Sequence, residues 1–220
     1  MTGARSSPRW RRATEAPSGS CAWPSSCGRV PNVEELNLEQ IGVETTKLGI
    51  AVDEHMRTSV DGIWAAGDVT ALAQFTPIAQ YQARIAADDM FGTEASADYD
   101  ALPTAIFTDP ELAQLGLTED EAREQGFDAD SVRHDLKYVQ RASYTDSKHG
   151  LYKLVFDARS RRLLGVHVVS RGASDIVQGL AVAMKLGATV DDLAHAHHAF
   201  PTFGEGVKAA AEQAALKVKT

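Results

Sequence analysis

The stretch GIWAAGDVT (residues 62–70) decides how the first half of the chain reads. A short apolar run ends at Gly67 and is followed at once by the carboxylate of Asp68. Such a run fits a buried strand, since strands covered on both faces lose the polar alternation. Just downstream, PIAQYQARIAADDMFG (residues 77–92) predicts a helix. Pro77 suits its first turn, Ile78, Tyr81, Ile85 and Met90 mark an apolar stripe, and Gly92 closes it. Upstream, GIAVDEHMRTSV (residues 49–60) alternates apolar and polar residues, as strands on a half-exposed sheet do. The pattern is therefore α/β. For Asp68 the residues alone fit two roles equally, a turn former or a ligand contact.

Past the polar linker TEASADYDALP (residues 93–103) the rhythm changes. LPTAIFTDPELAQLGLTEDEA (residues 102–122) predicts a strand, a turn at Asp109-Pro110 and a short helix. Thr118 and Glu121 form a capping-box pair, and Gly126 ends that helix. Strand-like segments follow at residues 131–139, 150–158 and 162–170, with DARSRR (residues 157–162) as a hairpin turn. Helical patterns then occupy residues 173–187, 189–196 and 204–218. Strands first and helices later predict an α+β domain, with helices on one face of an antiparallel sheet. The helix at 173–187 is apolar around much of its circumference, so it needs cover on more than one side, the sheet on one and a partner on another.

The 220 residues suffice for one large domain or two small ones. A net charge of −8 argues against a nucleic-acid binder. No apolar run approaches the ~20 residues needed to cross a bilayer, so no membrane partner is expected. Cys21 and Cys27 are too few for a disulfide scaffold, and a cytoplasmic setting is the default. Residues 1–27 are Arg-, Ser- and Pro-rich with one acid, Glu15, and read as a disordered or non-native extension.

Four segments, GRVPN (28–32), TSVDGIWAAGDV (58–69), LPTAIFTDPELAQLGLTEDEA (102–122) and FPTFGEGVKAAAE (200–212), occur in an order and spacing that resembles the C-terminal part of the pyridine nucleotide-disulfide oxidoreductases. Within that family the chain looks most like mercuric reductase and dihydrolipoamide dehydrogenase. The resemblance implies a fold: residues 28–94 as the C-terminal part of a Rossmann-like FAD-binding domain and residues 101–220 as a dimerisation domain. It also implies FAD as cofactor, NAD(P)H as reductant in the full-length parent, and a homodimer through the C-terminal domain. Asp68 would then accept a hydrogen bond from a ribityl hydroxyl of FAD. Gly67 would let the backbone approach the cofactor, and the helix start at Pro77, Ile78 and Ala79 would face the flavin pyrimidine edge. No G-x-G-x-x-G occurs, and Cys21 and Cys27 lack the four-residue spacing of the redox pair, so the cysteines read as coincidental. The chain is expected to represent a C-terminal portion that does not turn over by itself.

Many relatives end in H-x-H-P-T-x-x-E, whose second His is a general acid/base oriented by the Glu and lent across the dimer to the partner's disulfide. Here the segment is HAFPTFGE (residues 198–205). His198 and Glu205 match as the remnant of that dyad, and Phe200 replaces the catalytic His. Phe carries no proton, and loss of a general acid/base typically costs ~10² to 10⁴ in rate. Mercuric reductases also lack that His and carry an aromatic there, although this chain ends in ALKVKT without a cysteine pair. His195, His197 and His198 read as polar helix-end residues, and no metal site is expected. Two functions remain in view: the C-terminal portion of a mercuric-reductase-like or dihydrolipoamide-dehydrogenase-like flavoenzyme, or a non-catalytic dimerisation module.

Overall fold

A computed structural model describes residues 29–70, 72, 74–147 and 149–217. The expectations for residues 1–27, the two cysteines included, lie outside the described residues.

The first region is built mostly of tight turns. Short 3-10 helices at Glu34–Leu36 and Leu38–Ile41 lead into a two-residue hairpin, β1 (Thr45–Thr46) against β2 (Gly49–Ile50). The alternating stretch 49–60 therefore forms far less strand than its pattern predicts. The run 63–66 is not a strand either: its ladder contact among the described residues is one bridge, Trp64 to Arg57. Alternation or apolarity licenses a strand only where a neighbour supplies the other half of each hydrogen bond. The chain instead turns into a 3-10 segment, Asp68–Thr70, and then helix α1 (Thr76–Met90) with Pro77 in its first turn. Ile78 and Ile85 are buried as predicted, but Met90 is exposed and Gln82 and Ala86 take places on the buried face. A small core of Met56, Ile85 and Ala86 joins α1 to the turns before it. Asp89, almost wholly covered, clamps the end of α1 to those turns through Arg57 (2.7 and 2.5 Å) and the Trp64 indole N–H (2.9 Å). These hydrogen bonds, Arg57's first, hold the Asp89 carboxyl below its ordinary range.

The second region is a five-stranded antiparallel sheet. Its strands are β3 (Pro103–Ile106), β4 (Glu111–Gly116), β5 (Ala129–Asp135), β6 (Leu151–Asp157) and β7 (Leu163–Ser170), in the order β3-β4-β7-β6-β5. The hairpin turn between β6 and β7 falls at 158–162, as DARSRR predicts. Helix α4 (Ala173–Lys185) lies on β3, β4 and β7, and α6 (Glu205–Leu216) on β5 and β6. Both cover the same face, where Leu115, Tyr152, Leu154, Val166 and Val168 are buried with Val177, Leu180, Val207 and Ala211. Burying such side chains contributes roughly 1.5–3 kcal/mol each, which makes this face the main source of stability. The short helix α2 (Glu119–Glu124) caps a smaller patch of the opposite face, Val155 and Leu164, through Ala122. Helix α3 (Gln140–Tyr144) follows β5, and α5 (Val190–His195) packs on α6. Thr118 and Thr189 both head true capping boxes, with Glu121 and Asp192. The fold class is thus the expected one, a partial α/β segment followed by an α+β domain.

Candidate flavin-facing turn and C-terminal loop

Gly67 sits at φ +85°, a region open to glycine at little cost, and a Cβ built there would lie 3.2 Å from the Cβ of Ala79. The glycine thus seats the turn directly on the first turn of α1. It also aims Asp68 outward: half of that side chain is exposed, and Oδ2 meets one nitrogen of Arg29 at 3.3 Å. The same Arg29 nitrogen donates to the Gln74 carbonyl (3.3 Å). An ion pair this exposed is worth about 0–1 kcal/mol, so Asp68 is available to an incoming hydroxyl at small cost. Ile78 and Ala79 donate their N–H groups to the Phe75 carbonyl (3.0 and 3.1 Å), and Pro77 has none. What α1 offers a ligand is therefore its positive end more than a fan of free amides.

Beneath the turn lies a residue that the sequence reading missed. Gln82 is completely buried; its Oε1 accepts from the Gly67 N–H (2.6 Å) and the Thr70 hydroxyl (3.3 Å), and its Nε2 donates to the Tyr99 hydroxyl (3.0 Å). The signal was present: Gln82 follows Ile78 by four positions and precedes Ile85 by three, which puts an amide on the apolar stripe. Arg29, beside Asp68 across 39 positions, left no such signal.

An exposed acceptor on a glycine turn at the positive end of a helix has the donor and acceptor chemistry that a polyhydroxylated, anionic-tending cofactor such as FAD requires. The residues present fit one wall of such a site.

The C-terminal loop is held by Tyr152. Its hydroxyl donates to the Phe203 carbonyl (2.8 Å) and pairs with Ser170 Oγ (3.0 Å), and burial pushes its pKa to about 12. Gly206 lies flat on the Tyr152 ring. Glu205, the first residue of α6, turns back to accept the Thr202 N–H (2.9 Å) of the preceding loop, and Thr202 Oγ donates to the Ala199 carbonyl (2.8 Å). Among the described residues no hydrogen bond joins His198 to Glu205. Phe200 is 72% exposed at the tip of the loop. His195 Nδ1 donates to the Asp191 carbonyl (2.7 Å), and no group of three or more His, Cys, Asp or Glu among the described residues is placed to hold a metal. Nor is any described helix long and apolar enough to cross a membrane.

Comparisons with known proteins meet this geometry from outside. The dimerisation domain of the pyridine nucleotide-disulphide oxidoreductases matches residues 102–211, and a second pyridine nucleotide-disulphide oxidoreductase model matches residues 25–83. Mercuric reductase from Staphylococcus aureus is 39% identical over 186 residues, which is 84% of this chain and 34% of that protein. Dihydrolipoyl dehydrogenase from the same species is 38% identical over 188 residues, 85% of this chain and 40% of that protein. Among solved structures, the HOCl-induced flavoprotein disulfide reductase RclA from Escherichia coli superposes with a TM-score of 0.76 at 27% identity, covering 85% of this chain and 44% of RclA. LpdA from Mycobacterium tuberculosis gives 0.77 at 28% identity, covering 84% of this chain and 40% of LpdA. The chain spans 34–40% of the length of these curated relatives. By the match of half its length to the dimerisation domain and of the Gly67-Asp68 region to the second model, the chain belongs to the pyridine nucleotide-disulphide oxidoreductase family.

Proposed function

We propose that this chain supplies one wall of an FAD site and the dimerisation domain of an NAD(P)H-dependent oxidoreductase resembling mercuric reductase or dihydrolipoyl dehydrogenase. The family is FAD-dependent, uses NAD(P)H and carries a domain through which its members dimerise. In this reading residues 28–94 belong to the FAD-binding domain and residues 101–220 to the dimerisation domain. Gly67 admits the cofactor close to the backbone, Asp68 accepts from a ribityl hydroxyl, and Pro77, Ile78 and Ala79 set the positive helix end against the flavin. The bound flavin would supply two-electron carrier chemistry between the nicotinamide and an acceptor. The observation that carries the reading is the half-exposed Asp68 carboxylate on a glycine turn seated against Ala79.

The C-terminal loop bears on the acceptor. Phe200 stands in the proton-shuttle position, and the Glu205 carboxylate accepts from the Thr202 N–H of its own loop rather than from a histidine ring. Thiol chemistry that relies on a His–Glu pair is therefore disfavoured, and an acceptor reduced without a protein proton shuttle is favoured. A homodimer through residues 101–220, in a cytoplasmic setting, completes the reading.

A second reading keeps only the interaction role. It is supported by the separate core of the second region, which closes around Tyr152 and Val168 without the first. Titrating the purified chain with FAD, followed by visible absorbance and circular dichroism, separates the two. Saturable uptake that weakens about tenfold in Asp68→Asn is expected, the effect of one charge-assisted hydrogen bond. A colourless dimer that ignores FAD would leave the interaction module.

A further inference from the structure

Gln82 has no role in the functional reading above, yet it is the most deeply placed polar side chain of the first region. An amide in an apolar setting costs several kcal/mol unless its groups are paired, so its retention there asks for a reason. Its hydrogen bonds among the described residues are directed at two places. The oxygen holds Gly67 N–H and the Thr70 hydroxyl, one on either side of Asp68. The single Thr70 hydroxyl proton is shared between Gln82 Oε1 and the nearer Gly67 carbonyl (2.9 Å), so the residues flanking Asp68 are tied to each other as well as to α1. The nitrogen points the other way, to Tyr99 in the segment that joins the two regions. Tyr99 in turn lies edge-on to Tyr81 (ring centroids 6.0 Å), whose hydroxyl accepts the Asp98 N–H (2.8 Å), and Asp98 pairs with Lys185 at the end of α4.

We infer that Gln82 is the positioning residue of the flavin site: it fixes the Gly67–Thr70 turn so that Asp68 is presented in one orientation, and through Tyr99 it registers that turn against the connecting segment. Gln82 does not touch the cofactor in this arrangement. It acts by removing freedom from a four-residue turn that carries the acceptor, so that little ordering remains to be done when the ligand arrives. The Gly67 N–H is the sensitive point, because a glycine at positive φ has no side chain of its own to hold the turn. The inference rests on Asp68 being a flavin contact, and the experiment keeps the two claims apart.

Gln82→Met, near in volume and unable to accept, is compared with the wild-type chain and with Gln82→Glu, which retains an acceptor oxygen. The first readout needs no flavin: amide hydrogen exchange at Gly67 is expected to quicken at least tenfold in Gln82→Met, with the amides of α4 and α6 unchanged, and to return toward wild type in Gln82→Glu. The second is FAD affinity by titration, expected to fall about five- to tenfold in Gln82→Met, as loss of one ordering hydrogen bond implies, and to recover in Gln82→Glu. Unchanged exchange at Gly67 overturns the role of Gln82. So does quickened exchange with unaltered FAD affinity while Asp68→Asn weakens binding; that result leaves the flavin reading standing. Absence of FAD uptake by the wild-type chain, or indifference to Asp68→Asn, defeats the flavin reading and this inference with it. Were Gln82→Met to unfold the first region, Tyr99→Phe, which strips the partner from Nε2 alone, must still quicken Gly67 exchange for the inference to hold.

Discussion

Gly206 and Tyr152 meet with no room between them: a Cβ at position 206 would overlap the Tyr152 ring. Both are buried, and the ring is also pinned by its hydroxyl to Phe203 and Ser170. Gly206→Ala therefore forces the ring or α6 to move, and overpacking of this kind typically costs about 1–3 kcal/mol. Urea denaturation of the variant should show a lower midpoint at an unchanged slope; a midpoint equal to wild type would mean that the loop adapts. The glycine in FPTFGEGV could be read from the sequence only as a helix-start residue. Its need for a flat neighbour depends on Tyr152, fifty-four positions away. The same holds at Asp68. That a glycine-acid pair should present a carboxylate was legible, because a turn's backbone geometry is local. That Arg29 stands beside it was not, and although the spacing put Gln82 on the buried face of its helix, that it meets this turn was not either, because both reach Asp68 only through the fold.

Among the elements, helix α2 carries a titrating lock. Glu119 accepts from the Ser131 hydroxyl (2.6 Å) on β5, from Lys153 (3.0 Å) on β6, and from Arg123 one turn along its own helix. These partners, Ser131 first, bring its carboxyl down to about 2 from the ordinary 4.5. A group depressed on folding stabilises the native state fully above its unfolded pKa and loses that contribution as pH falls toward its folded one. Stability should therefore decline between about pH 4.5 and pH 2, and Glu119→Gln should flatten that part of the curve. Denaturant midpoints at stepped pH check it; parallel curves for the two proteins would contradict it. The capping box at Thr118 was readable because it spans three residues; the one at Thr189, closed by Asp192, was not read. The turn DARSRR was only half read. Its hairpin is there, but Arg161 is buried in it, bidentate to Asp191 (3.0 Å on both arms), donating to the Ala214 carbonyl (2.8 Å) and lying over the Phe156 ring. An arginine in a charged turn looks solvated until two helices close over it.

Across the whole molecule, large apolar side chains stand exposed among the described residues. Val182 on α4 and Leu186 just past its end lie beside Ala101, and Ile106 and Phe107 stand on the β3–β4 hairpin. The expectation that the 173–187 helix is covered on one side by the sheet agrees with the burial of Val177, Leu180 and Met184. The opposite side is where a second copy is expected. Sedimentation of the purified chain should give a dimer, and Val182→Glu with Leu186→Glu should shift it toward monomer. A chain that stays monomeric at every accessible concentration would remove the homodimer from the proposed function.

The helices at 76–90, 119–124, 173–185, 190–195 and 205–216, the DARSRR hairpin and the family's segments were legible in the sequence, because periodicity, caps and turn residues act over a few positions; β4 (Glu111–Gly116), α3 (Gln140–Tyr144) and the 45–50 hairpin were not. Two things were decided only by the tertiary structure: the run at 63–66 is no strand, and Gln82 lies beneath the Gly67–Asp68 turn. Each depends on which distant group arrives to complete a hydrogen bond, and a buried donor or acceptor takes the partner the fold brings to it.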